Sequence, residues 1–213
     1  MAWELHGYRY SVYLRIVAMT LLEKGLSWTH VEVDPFDYQI PESYLSLNPF
    51  ARVPTLVHDG FVLYETTAIT RYIDEARPAL PLQPADPKER ARMNQIVAIA
   101  DSYAYWPLVR QVFSHRVFRP AAGGTGDEAV VVEGVDRSAK VLAALDNLAA
   151  GGPFLVGKAL SLADLHLGAM TAYFTMAEEG RSELRRHPRL AEWWDAFSTR
   201  KSLVESDPGL PSS

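Results

Sequence analysis

The chain has 213 residues, 48% hydrophobic and 22% charged, with 14 prolines, 13 glycines and no cysteine. This length and apolar content can bury a sizeable core, which excludes disorder as the main state. Lys and Arg number 21 against 26 Asp and Glu, a formal charge of −5; that balance weighs against a nucleic-acid partner held by phosphate neutralisation and leaves small molecules or proteins as partners.

Without cysteine there is no disulfide framework, no thiolate metal site and no cysteine nucleophile, so any thiol chemistry must use a borrowed thiol. The opening residues lack a basic region followed by an apolar core, and no stretch of about 18 uncharged apolar residues occurs. A cytoplasmic protein with no membrane partner is expected. His6, His30, His58, His115, His166 and His187 form neither an i, i+4 pair nor a His-Glu-x-x-His pattern, so no metal is expected.

Trp3 to His6 reads as a short strand. A Gly7-Tyr8-Arg9-Tyr10 loop leads from it to Ser11, which is placed to cap a helix running to about Lys24. Val12, Ile16, Val17 and Leu21 share one face of that helix, and Gly25 is its expected stop. Trp28 to Val33 follows as a second strand, completing a βαβ unit. After a polar, proline-bearing stretch, Val53–His58 and Phe61–Tyr64 flank Asp59-Gly60, a tight hairpin signal, and a helix runs from Glu65 to about Ala76.

Pro78, Pro81, Pro84 and Pro87 mark a linker. The expected organisation is an α/β domain over 1–77, a linker over 78–86 and an all-helical domain over 87–213. Asp86-Pro87-Lys88-Glu89 is a helix start, with an N-cap acid, proline at the first position and glutamate at the third. One helix is predicted from Pro87 to about Phe118 and another from about Asp127 to Ala150. The glycine-rich Gly123–Gly126 between them lacks the Lys-Ser/Thr of a phosphate loop and reads as a plain connection. Ser161-Leu162-Ala163-Asp164 is a further capping pattern, and the last helix carries Leu190, Trp193, Trp194 and Phe197 for packing.

A set of motifs runs through this order: Tyr10-Ser11 ahead of Leu22–Leu26, Asn48-Pro49-Phe50-Ala51-Arg52-Val53-Pro54-Thr55-Leu56, Tyr64–Ile69 and Ser161–Asp164. Together they resemble the glutathione S-transferase family over nearly the whole chain, with a bacterial member of serine or tyrosine type in view. The resemblance implies a thioredoxin-like N-terminal domain (βαβ-ββα), an all-helical C-terminal domain and a homodimer. It also implies glutathione as co-substrate, with Val53 before a cis Pro54 pairing its backbone with the cysteinyl part and Arg52 and Gln39 reaching the glycyl end. Glu65 and Thr66, at a helix start, suit the ammonium and carboxylate of a γ-glutamyl group.

A glutathione thiol titrates near the free value of about 8.5, so the enzyme must lower that pKa to make the nucleophilic thiolate. Ser11 is the leading candidate for this, as hydroxyl donor at a helix N-terminus, with Tyr10 in the same loop as runner-up. The electrophile site is expected between the domains, lined by Tyr8 and Tyr10 and by an aromatic run on the long helix that includes Tyr103, Tyr105, Trp106 and Phe113; at most half of that run can face one groove. Conjugation of the glutathione thiolate to small hydrophobic electrophiles is the leading activity. The alternatives are a non-catalytic binding or scaffold protein of the same fold, or a glutathione-dependent isomerase or dehalogenase.

Overall fold

The computed structural model describes residues 2–211. The chain divides into two units, the first reaching to Pro81 and including Glu205–Pro208, the second running Leu82–Val204 and resuming at Gly209. The division falls inside the proline-bearing stretch. Residues 205–208, which the sequence reading assigns to the helical domain, instead group with the first unit.

The first unit contains β1 (Trp3–Gly7), α1 (Val12–Glu23), β2 (Thr29–Glu32), α2 (Glu42–Leu45), β3 (Thr55–His58), β4 (Phe61–Tyr64) and α3 (Thr66–Ala76). Its sheet has the order β2-β1-β3-β4. β1 and β2 are parallel, as a helical crossover requires, while β3 runs antiparallel to β1 and to β4. Asp59 and Gly60 have φ of 49° and 86°, the paired left-handed residues of a two-residue hairpin turn. The Asp59 carboxylate also accepts the Ala2 N–H at 2.9 Å.

Alternation along β1 buries Trp3 and Leu5, which join Leu56 of β3, Leu14, Val17, Ala18 and Leu21 of α1, and Ile69 and Ile73 of α3 in one apolar cluster. α1 is buried from Leu14 through Leu21, more fully than the single apolar face its periodicity predicts. Thr20 tolerates this because its hydroxyl donates to the Ile16 carbonyl at 2.9 Å. At the other end of α1, Gly25 at φ 64° stops the helix, with Leu26 N–H reaching back to the Leu21 carbonyl at 2.9 Å. Lys24 Nζ then donates to the Asp74 carboxylate and to the Ala79 and Leu80 carbonyls, tying α1 to α3 and the loop beyond it.

The second unit is helical. Asp86 accepts the Lys88 and Glu89 amides at 2.9 and 3.0 Å to open α4 (Pro87–Ile99). The chain then continues without interruption, but with wider winding, as π1 (Ala100–Phe118), followed by α5 (Arg119–Ala121). The sequence reading expects one regular helix here. Pro107 lies inside π1; it donates no amide and its ring crowds the carbonyl four residues back in α winding, a conflict the wider register relieves. α6 (Glu128–Leu148), α7 (Leu162–Phe174), α8 (Glu178–Leu184), α9 (Pro188–Phe197) and α10 (Lys201–Glu205) complete the chain.

α7 is the central helix of this unit, buried from Leu162 through Thr171 and packed against π1, α4 and α9. Trp193 is fully buried and stacks on Phe197 at 5.3 Å, the packing role its spacing predicts. Among the described residues no helix is long and apolar enough to cross a membrane, and no group of three or more His, Asp or Glu could hold a metal ion.

Candidate functional site

Strand register brings the candidates of the first unit to one edge of the sheet. His6 pairs with Thr55 and Thr55 with Tyr64, while Gly7 pairs with Glu32. The loop after β1, the start of β3, the end of β4 and the end of β2 therefore share that edge. On it lie Tyr8–Ser11, Val53-Pro54 and Glu65-Thr66, with Gln39 and Arg52 in the connection from β2 to β3. Gly7 makes the approach possible, because a Cβ there would meet Leu14 Cδ1 at 2.7 Å and Val53 Cβ at 3.2 Å. A side chain at this position would have to displace the tip of Leu14 and crowd Val53. The only signal for this in the sequence is a glycine at the end of a strand.

Ser11 is the N-cap of α1, with extended backbone (φ −69°, ψ 125°), and its Oγ accepts the Leu14 amide at 3.4 Å. The first turn of α1 carries no acidic residue, so the positive end of the helix dipole is not offset by a carboxylate of its own. The preceding loop is held firmly. Ser11 N–H donates to the Tyr8 carbonyl at 2.8 Å, and Arg9 donates its backbone N–H and Nε to the Glu32 carboxylate at 3.0 and 2.9 Å. Tyr8 and Tyr10, both half-buried, meet edge-on with ring centroids 5.3 Å apart, and Tyr8 also meets Phe36. Burial first, and the nearby Asp34 second, push the Tyr8 hydroxyl above its ordinary value, so Tyr8 keeps its proton at neutral pH.

The Val53–Pro54 bond is cis. Beneath it lies a bracket of three buried polar residues. Tyr44 Oη and Asn48 Nδ2 both donate to the Arg52 carbonyl, the latter at 2.9 Å. Thr55 Oγ1 lies 3.0 Å from Tyr44 Oη and 3.3 Å from Asn48 Nδ2. The backbone leading into Val53 is thus anchored, while the Arg52 side chain stays exposed. The sequence reading places no element at Tyr44; an aromatic residue in a polar stretch was the signal. Gln39 lies in the exposed loop before α2, its N–H 3.4 Å from the Asp37 carboxylate.

Glu65 is exposed and takes φ 71°, ψ 112° as the N-cap of α3, and no side chain caps that helix. A β-carbon at this φ is strained, and such strain is characteristic of positions held for binding. Thr66, the first helical residue, is buried.

In the second unit the aromatic run separates. Phe113 is 5% exposed and stacks face to face on Tyr173 at 4.4 Å. Its ring packs against that of Tyr173 within the helical unit. Tyr105 is half-buried, whereas Tyr103 and Trp106 are 65% and 55% exposed. Asp164 is a structural residue, accepting from Leu155 N–H, Ser161 N–H, Ser161 Oγ and Trp193 Nε1 at 2.7 to 3.0 Å.

These arrangements match a known pattern. The sequence signature described as "Glutathione S-transferase, N-terminal domain" matches residues 5–84, and that of the C-terminal domain matches residues 102–201. Glutathione S-transferase F10 of Arabidopsis thaliana is 32% identical, covering 88% of this chain and 88% of its own. The chain belongs to the glutathione S-transferase family. Other relatives come from Zea mays and Nicotiana tabacum; these are plant proteins, so they do not support the expectation of a bacterial serine- or tyrosine-type member. Among solved structures, glutathione S-transferase III in apo form is 29% identical, covers all of both chains and superposes with a TM-score of 0.85. Maize glutathione S-transferase I in complex with an atrazine glutathione conjugate is 25% identical, with 97% of this chain and 96% of that one covered and a TM-score of 0.81.

Proposed function

We propose that this protein is a glutathione transferase that forms the glutathione thiolate at Ser11 and joins its sulfur to small hydrophobic electrophiles. The carrying observation is the convergence on one sheet edge of Ser11, the Val53–Pro54 segment and the Glu65-Thr66 helix start. The maize relative solved with an atrazine glutathione conjugate supports the substrate class.

In this reading the Ser11 oxygen uses a lone pair on the Leu14 amide, and its proton donates to sulfur. Lowering a thiol pKa by about two units requires roughly 2.7 kcal/mol in favour of the anion. A charge-assisted hydrogen bond contributes about 1.5–3 kcal/mol and a helix N-terminus about 0.3–1 kcal/mol, which together suffice. Val53 offers its backbone to the cysteinyl portion, Glu65 receives the α-ammonium, and the Thr66 hydroxyl and the first turn of α3 receive the γ-glutamyl carboxylate. Arg52 and Gln39 serve the glycyl end. Tyr8 and Tyr10 border the sulfur and contact the electrophile. A homodimer of cytoplasmic location completes the proposal.

Thiolate absorbance during a glutathione titration, repeated across pH, tests it. A saturable signal with an apparent pKa well below about 8.5 is expected, and Ser11→Ala should move that pKa back up while changing the glutathione dissociation constant little. An unchanged pKa in Ser11→Ala together with loss of the signal in Tyr10→Phe would reassign activation to Tyr10. Absence of a saturable signal, with no heat of binding by calorimetry, would leave a non-catalytic protein of this fold.

A further inference from the structure

The residues between Gly7, at the end of β1, and Ser11, at the start of α1, are fastened in two different ways. Tyr8 is held from within the loop, its carbonyl accepting the Ser11 N–H at 2.8 Å. Arg9 is held from β2, where the Glu32 carboxylate accepts its backbone N–H at 3.0 Å on Oε1 and its Nε at 2.9 Å on Oε2. The same strand fixes the point from which the loop departs. Gly7 is registered against Glu32, and the Gly7 carbonyl accepts Val33 N–H at 3.2 Å and His30 Nε2 at 2.9 Å. A carbonyl oxygen only accepts, so His30 carries a proton on Nε2.

The side chains of Arg9 and Glu32 are 58% and 37% exposed, and an ion pair so open to solvent adds little to folding stability. Its hold on the loop matters more. Ser11 Oγ accepts the Leu14 amide at 3.4 Å, longer than an ordinary N–H···O bond, so the cap alone directs the hydroxyl only loosely. The aim of the O–H therefore depends on where the loop sets the Ser11 backbone. By charge, Glu32 acts in the opposite sense. A carboxylate near a forming thiolate disfavours the anion, and Asp34 on the same side already acts on the Tyr8 hydroxyl. Removing Glu32 would thus ease thiolate formation if its charge dominated, and hinder it if its hold on the loop did.

We propose that Glu32 is a positioning residue for thiolate formation: by gripping both the backbone and the side chain of Arg9 it fixes the loop, and with it the aim of the Ser11 hydroxyl at the glutathione sulfur. The inference rests on the reading of Ser11 as the activating group.

Thiolate absorbance of bound glutathione across pH, measured on the parent chain, Glu32→Ala, Glu32→Gln and Arg9→Ala, tests it. Glu32→Ala should raise the apparent pKa of the bound thiol by about one unit, leaving roughly tenfold less thiolate below that pKa. The kcat for conjugation of 1-chloro-2,4-dinitrobenzene should fall with it, while KM for glutathione and the melting temperature change little. Glu32→Gln removes the charge but keeps an oxygen for the Arg9 N–H, so it should stay close to the parent. Arg9→Ala keeps that same backbone bond and should shift the pKa by less than Glu32→Ala. A lowered pKa in both Glu32 variants would show that the carboxylate acts only as a charge, and an unchanged pKa with a lower melting temperature that it serves only the fold; either overturns the proposal. A parent signal that moves in Ser11→Ala but not in Glu32→Ala overturns this inference alone, whereas no saturable signal in the parent overturns the Ser11 reading and this inference together.

Discussion

Glu65 pairs an exposed carboxylate with a backbone conformation that a β-carbon disfavours, φ 71°. Alanine carries the same β-carbon, so Glu65→Ala removes the carboxylate without relieving the backbone. The substitution therefore separates binding from strain. If Glu65 holds the ammonium of glutathione, the variant should bind the tripeptide more weakly by about 1.5–3 kcal/mol, the worth of a hydrogen bond to a charged group, with little change in melting temperature. An unchanged dissociation constant would remove Glu65 from the site. Its position after the Tyr64 strand was legible in the sequence as an ordinary helix start; the strained φ was not, because no local residue demands it.

Asp164 gathers the start of α7, the Leu155 turn and α9 onto one buried carboxylate, and its cost at the scale of elements follows from what would be left behind. Removing it strands the Leu155 and Ser161 amides and Trp193 Nε1, all in a site where the residue is 0% exposed. Each stranded donor costs on the order of 1–3 kcal/mol. Asp164→Ala should accordingly lose at least about 3 kcal/mol in urea unfolding. Asp164→Asn, which keeps an acceptor oxygen, should lose less. Equal stability of Asp164→Ala and the parent protein would refute this. The Ser161–Asp164 capping pattern was legible because its partners lie three residues apart. The reach to Trp193, 29 residues on, was not.

At the scale of the molecule, the returning segment Glu205–Pro208 is the feature that composition and periodicity leave unannounced. Arg15 of α1 is 3% exposed; its guanidinium lies 3.4 Å from Asp207 Oδ2 and its Nε 3.4 Å from Ser206 Oγ. A buried cation stripped of all its partners costs about 3–5 kcal/mol, and losing Asp207 costs less because Asp207 is one of several contacts, 40% exposed and screened by solvent. Truncation after Val204 should lower the unfolding free energy by about 1–3 kcal/mol, and Asp207→Asn by less. A truncated chain as stable as the full one would show that the segment contributes nothing to the first unit.

The sequence by itself determined the features whose partners lie within a few residues. Ser11, Asp86 and Gly25 begin or end helices, Asp59-Gly60 turns the hairpin, and strand alternation sets the inner face of β1, because each depends on hydrogen bonds or sterics along the local chain. Tertiary structure alone decided which neighbour each exposed or apolar face meets. Periodicity groups Trp106 and Phe113 in one aromatic run, yet Tyr173 covers Phe113 while Trp106 lines a groove with α6. Gly7 against Val53, Tyr44 and Asn48 beneath Arg52, Gly134 against Gln111 and Arg15 beside Asp207 likewise arise only when segments distant in sequence pack. Local spacing states which residues share a face, but the energy of a contact depends on what lies opposite it.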